Sequence, residues 1–234
     1  MIVDGLNSPP LAPLTVRDVR VVYNLNMNFY RHNWYYIGGI LFVALSFFMG
    51  FSRNLVSPIQ VILIFSFMAM LAHQVEEYAY PGGFPTISNR LVMGEKDAPD
   101  RYPLNANQCM ISNTLLTYLF YIAAICFPGV IWLGLAQVGL GLFQILAHGV
   151  VVPLRIKRLY NPGLATTVFL FLPIGIYYIR YVTANNLAST GDYVLGVIAT
   201  LGAAIVLFLL PIILLRNKQS KYPFSEAEMK SKLL

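Results

Sequence analysis

The sequence predicts an all-α membrane protein in which about six helices cross the bilayer. Of its 234 residues, 57% are hydrophobic and 11% are charged, whereas soluble domains carry about 25% charged residues. Apolar stretches of roughly twenty residues, the length that crosses a bilayer, recur along the chain. They lie at 34–52, 56–78, 109–127, 129–152, 164–183 and 193–215.

Hydrophilic segments flank these stretches and predict the domain organisation. Residues 1–33 form an N-terminal segment that we expect to end in an interfacial helix, although the alternation over 21–29 also fits a strand. The membrane domain covers 34–218 and contains the longest loop, 81–108, which is either a lid or a plain connector. Residues 219–234 are predicted to be a disordered or short helical tail.

The basic residues predict the orientation in the membrane. Fourteen of the sixteen Lys and Arg residues lie in the N-terminal segment, in the loops 81–108 and 153–163, or near the C-terminus. The other two, Arg53 and Arg180, lie on the opposite side. Because Lys and Arg accumulate on the cytoplasmic side, both termini of this multi-pass cell-membrane protein are predicted to be cytoplasmic. No basic cluster with a recognition element is visible, so we expect no nucleic-acid partner.

The most informative polar residues are His73, Glu76 and Glu77, at the end of the second predicted span. Offsets of three and four residues place both carboxylates on the same helix face as the imidazole. Ionisable side chains are costly at membrane depth unless they pair, bind a metal or line a wet cavity. This group therefore predicts a metal site or an acid/base site.

A second histidine lies in a similar context. The stretches 71–75 and 146–150 match at four of five positions, through duplication of a hairpin or by chance. The second and fourth spans run in the same direction, so His73 and His148 are both expected near the cytoplasmic ends. Asn113 and Asn161 are expected in the same layer, where they are candidates to support or join the ligands. This convergence favours a site.

We expect a divalent metal, Zn²⁺ or Fe²⁺, bound by His73, His148 and Glu77, with Glu76 as fourth ligand or general base. Two glutamates are too few for a di-iron centre, which normally uses about four carboxylates. Two alternatives stay open: a metal-free acid/base site, and a buried hydrogen-bond network without catalytic function.

The motif His73-Gln-Val-Glu-Glu77 resembles that of the HXXEE-motif family of small bacterial membrane proteins. The His148 region and the turn Tyr160-Asn-Pro-Gly163 extend the resemblance to about residues 55–165. The resemblance implies a membrane-embedded His/Glu site and no particular activity.

We therefore predict a metal-dependent membrane enzyme that acts on a lipid, an isoprenoid or another amphiphile at the cytoplasmic leaflet, with Glu76 and Glu77 as catalytic carboxylates. Hydrolysis is favoured over oxidation because the carboxylates are few. The alternative is a proton- or metal-coupled transporter, which requires a polar path to the opposite face. The candidate residues for such a path are few: Thr114, Thr117, Gln137 and Gln144.

Overall fold

The computed structural model describes residues 16–231 and confirms the all-α membrane fold. No strand occurs within these residues. Six helices are long and apolar enough to cross a membrane, and we call them spans one to six. They are Leu25–Leu55, Pro58–Tyr78, Ala106–Cys126, Ile131–Ile156, Leu164–Ala184 and Thr190–Leu215.

The first helix, Val16–Ser52, begins well before the membrane-spanning part of the chain. The helix predicted in the N-terminal segment is therefore present, it continues without a break into span one, and the strand alternative is wrong. A single 3₁₀ turn, Arg53–Leu55, follows it. Residues 1–15 lie outside the described residues, and the position of this helix at the membrane interface stays a prediction.

Local sequence explains where spans two and six begin. Ser57 accepts a hydrogen bond from the N–H of Gln60, whose side chain accepts one from the N–H of Ser57. Pro58, which lacks an N–H, occupies the first helical turn. Ser189 and Asp192 form the same reciprocal pair before span six. These side chains satisfy N–H groups that the first turn of a helix leaves free.

Spans three to six each contain one short π-helical segment, in which an extra residue widens the helix for about one turn. The segment in span four contains His148, and the one in span five begins directly after Thr166. Such segments are frequent at functional sites. The four segments are Ile111–Leu116, Ala147–Val151, Thr167–Phe171 and Ile205–Leu209.

Glycines let span four pack closely against its neighbours. A Cβ added to Gly139 would lie 2.3 Å from Thr200 Oγ1 of span six, and one added to Gly141 would lie 2.5 Å from the Phe171 ring of span five. Neither helix could approach so closely if a larger residue replaced the glycine. This packing fixes span four, and with it His148, against span five.

The loop between spans two and three folds together with the C-terminal tail. The backbone N–H of Phe224 donates to the carbonyl of Asp100 at 2.7 Å, and the hydroxyl of Thr86 donates to the carbonyl of Met229. The tail contains the short helix Glu226–Met229, so the short helical alternative is confirmed. The buried Glu228 carboxylate lies 2.8 Å from Nδ1 of His32, which ties the tail to the first helix.

Candidate functional site

The end of span two places three ionisable side chains in the protein interior. His73, Glu76 and Glu77 are 2%, 7% and 6% exposed. Span two is an uninterrupted α-helix from Pro58 to Tyr78, so Glu76 and Glu77 each lie about one turn after His73, as predicted. Groups of this kind remain buried only where other polar or charged groups meet them.

His148 lies beside His73, although the two are far apart in sequence. The centroids of the two rings are 4.9 Å apart, and the ring planes are nearly perpendicular. Glu77 Oε1 lies 3.3 Å from Nε2 of His148 and 3.7 Å from Nε2 of His73. The predicted meeting of two imidazoles with a carboxylate is therefore present in the structure.

Hydrogen bonds on the outer side of each ring indicate where the imidazole protons lie. Asn161 donates its Nδ2–H to the carbonyl of His148, so its Oδ1, at 2.8 Å, accepts the Nδ1 proton of His148. Thr166 donates its hydroxyl to Glu76 at 2.6 Å, so its oxygen accepts the Nδ1 proton of His73 at 2.9 Å. This assignment rests on the hydrogen-bond network. In neutral rings, each Nε2 then carries a lone pair on the side of Glu77.

Three acceptor atoms thus converge at one point. His73 Nε2, Glu77 Oε1 and His148 Nε2 lie within 4.8 Å of one another. His73 Nε2 has no hydrogen-bond partner among the described residues. Buried acceptors that face each other need a cation or an added proton between them. Two imidazole nitrogens and one carboxylate oxygen suit Zn²⁺ or Fe²⁺ and leave coordination positions open for water or substrate.

Glu76 differs from its neighbour, because its carboxylate binds the start of span five. Oε2 accepts hydrogen bonds from the N–H and the hydroxyl of Thr166, at 2.8 and 2.6 Å. Oε1 accepts from the N–H of Ala165 at 3.0 Å and from the Tyr160 hydroxyl at 3.1 Å. A carboxylate at a helix N-terminus is also favoured by the helix dipole. These contacts favour an anchoring role for Glu76 over the predicted role as base or fourth ligand.

Tyr160, in the connection between spans four and five, is one of the donors to the Glu76 carboxylate. Burial, and then the charge of Glu76, raises the pKa of Tyr160 to about 12. The phenol therefore retains its proton at neutral pH and continues to donate to Glu76.

The turn before span five brings Asn161 and Thr166 to the two rings. Gly163 in this turn has a φ of 102°, a conformation that glycine adopts readily. A Cβ at this position would lie 2.4 Å from Cε1 of His148 and 2.8 Å from Cε1 of His73. Both the backbone conformation and the contact with the two rings therefore require glycine here.

Both asparagines predicted to support the site lie near it, since Asn113 lines the cavity, but Asn161 is the one whose side chain contacts an imidazole. Asn161 holds His148, whereas the Asn113 side chain donates to the carbonyl of Cys109 on its own helix. Thr166, which contacts both His73 and Glu76, was not predicted from the sequence. A usable signal was its position in the first turn after the Asn-Pro-Gly sequence, where free N–H groups attract a carboxylate.

A cavity of about 330 Å³ lies next to the cluster, and His73, Glu77 and His148 form part of its wall. Spans two, three, four and six and the loop after span two supply the rest. Phe84 of that loop lines the cavity, with its ring centroid 6.1 Å from that of His148. The loop therefore forms part of the cavity wall, and its role as a lid stays a prediction.

The cavity reaches the surface of the bundle, because some of its lining residues are exposed. Leu146 and Val151 of span four line it and are 54% and 47% exposed. Met93, in the same loop as Phe84, lines it as well and is 45% exposed. The cavity wall therefore includes apolar side chains that are exposed on the outside of the bundle.

Comparison with known families confirms the predicted resemblance to the HXXEE-motif family. Residues 64–178 match the model of the family described as "Protein of unknown function with HXXEE motif". The matched segment includes His73, Glu76, Glu77, His148 and the turn before span five. No curated protein and no solved structure matches the chain significantly.

Proposed function

We propose that this chain, which belongs to the HXXEE-motif family over residues 64–178, is a metal-dependent enzyme of the membrane that acts on a lipid-like molecule. His73, Glu77 and His148 bind the metal, and the neighbouring cavity receives the substrate. The observation that carries the proposal is the convergence of three buried acceptor atoms on one point of the cavity wall.

Each residue around the cluster has a distinct task in this proposal. Asn161 and Thr166 hold the outer nitrogens of the imidazoles, so both Nε2 atoms point toward the metal. Supporting hydrogen bonds of this kind orient metal ligands and raise their basicity. Glu76 anchors span five and with it the turn that carries Asn161. The bound Zn²⁺ or Fe²⁺ would polarise the substrate or lower the pKa of a water molecule.

Hydrolysis is the favoured reaction. Glu77 is the one carboxylate that the described residues direct at the proposed metal position, since the oxygens of Glu76 accept four hydrogen bonds. A di-iron oxygen-activating centre would need about four carboxylates. A mononuclear Fe²⁺ site with two histidines and one carboxylate also supports oxidation, so the identity of the metal distinguishes the two reactions.

The surroundings favour an enzyme over a proton- or metal-coupled transporter. The polar side chains above the site are used locally: Thr114 and Thr117 donate to backbone carbonyls of span three, and Gln137 donates to the carbonyl of Leu63. A transported ion needs a chain of available polar groups toward the opposite face. Within the described residues, buried polar atoms without a partner occur at the cavity, and also elsewhere in the bundle on Tyr121, Gln137 and Tyr178. Those at the cavity are the ones that share a wall with the His/Glu cluster, which favours a site there.

Metal analysis of the purified protein tests the proposal. We expect about one equivalent of Zn or Fe in protein extracted with a mild detergent, and loss of this metal in His73→Ala, His148→Ala and Glu77→Gln. The folded fraction of Glu76→Gln should retain it, because Glu76 faces span five. A metal-free wild-type protein after gentle extraction, or metal that persists in all three ligand variants, would overturn the proposal.

We also propose that both termini and the site face the cytoplasm. The support is the excess of Lys and Arg at that end of the bundle, against Arg53 and Arg180 at the other. The exposed Cys126, at the opposite end, allows a direct test. A membrane-impermeant thiol reagent added to intact cells should label it, and Cys126→Ser should abolish the labelling. Labelling only after cell lysis would reverse the orientation.

A further inference from the structure

Besides His73 Nε2, two buried polar atoms of the cavity wall lack partners among the described residues. Gln108 and Ser112 lie one turn apart on span three and are 2% and 4% exposed. Gln108 Oε1 and Ser112 Oγ have no hydrogen-bond partner among the described residues. A buried polar atom without a partner costs about 1–3 kcal/mol. Such a pair at a cavity wall therefore indicates a group that binds there.

The same cavity contains the His/Glu cluster. Gln108 and Ser112 line it from span three, while His73, Glu77 and His148 line it from spans two and four. The wall therefore has polar side chains on different helices, and Ser88, Asn113 and Gln144 also line it. Much of the remaining wall is apolar, including Met70, Phe84, Leu104, Phe208 and Ile212. This arrangement orients a mainly apolar molecule through a small number of polar contacts.

The charge of the wall narrows the class of ligand. None of the described residues that line the cavity is Lys or Arg. Phosphate groups are usually bound by these residues, because they supply charge-assisted hydrogen bonds. An amide and a hydroxyl instead match an uncharged hydroxyl or carbonyl group.

The size of the cavity indicates how the molecule is accommodated. At about 30 Å³ for a water-sized volume, 330 Å³ holds on the order of ten heavy atoms. A polar head with part of a chain fills this space. The rest of the chain passes Leu146 and Val151 into the surrounding lipid, because both line the cavity and are exposed.

We propose that Gln108 and Ser112 bind the single uncharged polar group of a neutral long-chain amphiphile, such as an alcohol or an ester, and select it against phosphate-headed lipids. This inference deepens the proposed function and rests on it for the reaction, while the binding itself is independent of the metal. The specificity of the site then comes from span three and its chemistry from spans two and four.

A comparison of three sixteen-carbon probes tests the proposal in the full-length protein in lipid nanodiscs. Hexadecanol should raise the unfolding temperature more than hexadecane does, and hexadecyl phosphate should give no gain over hexadecane. Gln108→Leu and Ser112→Ala should each weaken the apparent affinity for hexadecanol, and together by about tenfold. Thr114→Val is the matched control, since Thr114 donates to the carbonyl of Met110 on its own helix.

Three results would overturn the assignment: equal stabilisation by alcohol and alkane, a preference for the phosphate, or an alcohol preference that survives the double substitution. Metal content, measured on the same samples, separates this inference from the proposed function. If the protein contains no metal but still distinguishes alcohol from alkane, the binding site is supported and the metal-dependent enzyme is refuted. If the protein contains the metal but does not distinguish alcohol from alkane, the metal site is supported and the binding site at Gln108 and Ser112 is refuted.

Discussion

Replacing Glu76 and Glu77 by glutamine, one at a time, separates the anchor of the fold from the proposed metal ligand. The two substitutions remove the same charge and preserve the same shape at adjacent positions. We expect Glu76→Gln to destabilise the protein strongly, because Glu76 binds the start of span five. We expect Glu77→Gln to abolish metal binding and to leave the apo protein folded.

The magnitude for Glu76→Gln follows from its four donors. A glutamine keeps one acceptor oxygen, so in either orientation the N–H of Ala165 or of Thr166 loses its partner. The Thr166 hydroxyl can turn to the carbonyl of Gly163, 3.1 Å away, and the partly exposed Tyr160 can bind water. One lost charge-assisted hydrogen bond costs about 1.5–3 kcal/mol, and the helix-terminus charge about 0.3–1 kcal/mol. The sum of about 2–4 kcal/mol lowers Tm by roughly 5–15 °C in a chain of this size.

Glu77→Gln starts from a different environment. Glu77 Oε1 faces two imidazole nitrogens that are inferred to carry lone pairs. The new amide can donate to one of them, so the free energy of unfolding should change by less than about 1 kcal/mol.

Thermal unfolding in detergent, with a chelator present, compares both variants with the wild type as apo proteins. Metal content is measured separately on samples without the chelator. Equal losses of Tm in the two variants, or a larger loss in Glu77→Gln, would refute the division of roles between the two glutamates.

Other substitutions test neighbouring parts of the structure. Asn161→Leu removes the acceptor that holds the His148 ring, so metal affinity, measured by competition with a chelator, should fall about ten- to a hundredfold. Gly163→Ala should sharply reduce the yield of monodisperse protein in size-exclusion chromatography. Gly149→Ala should not, because a Cβ there would lie an ordinary 3.6 Å from the Ile145 side chain. The guanidinium of the next residue holds the pKa of Asp100 below its usual range, so this pair stabilises the loop above about pH 4 and is lost as pH falls through the lowered pKa. Limited proteolysis should therefore cleave the tail faster in acid than at about pH 7, and Asp100→Asn should destabilise the loop at about pH 7 by at most about 1 kcal/mol.

The spans and the composition of the cluster were predictable because each depends on a strong local signal. Apolar length alone predicts the six spans, and the three- and four-residue offsets of Glu76 and Glu77 from His73 predict a shared face. The matching depth of His148 followed from the alternating direction of the spans. These inferences need no knowledge of how the helices pack.

The division of roles between Glu76 and Glu77 was not predictable from the sequence. Adjacent residues on a helix point about 100° apart, so one faces span four and the other span five only once the helices are packed. The order of the tail was not predictable either, because it depends on a contact between Glu228 and His32, which are 196 positions apart in the sequence. The orphaned atoms of Gln108 and Ser112 likewise appear only when the cavity is known.

The π-helical segment around His148 makes the position of this imidazole sensitive to the number of residues in span four. An α-helix advances 1.5 Å and turns about 100° for each residue, so deletion of one position within Ala147–Val151 would restore regular winding there. The stretch on one side of the deletion would then rotate relative to the other, and either the imidazole or the glycine contacts with spans five and six would lose their alignment. Deletion of a single codon would therefore be enough to remove His148 from the cluster or to disturb the packing of span four.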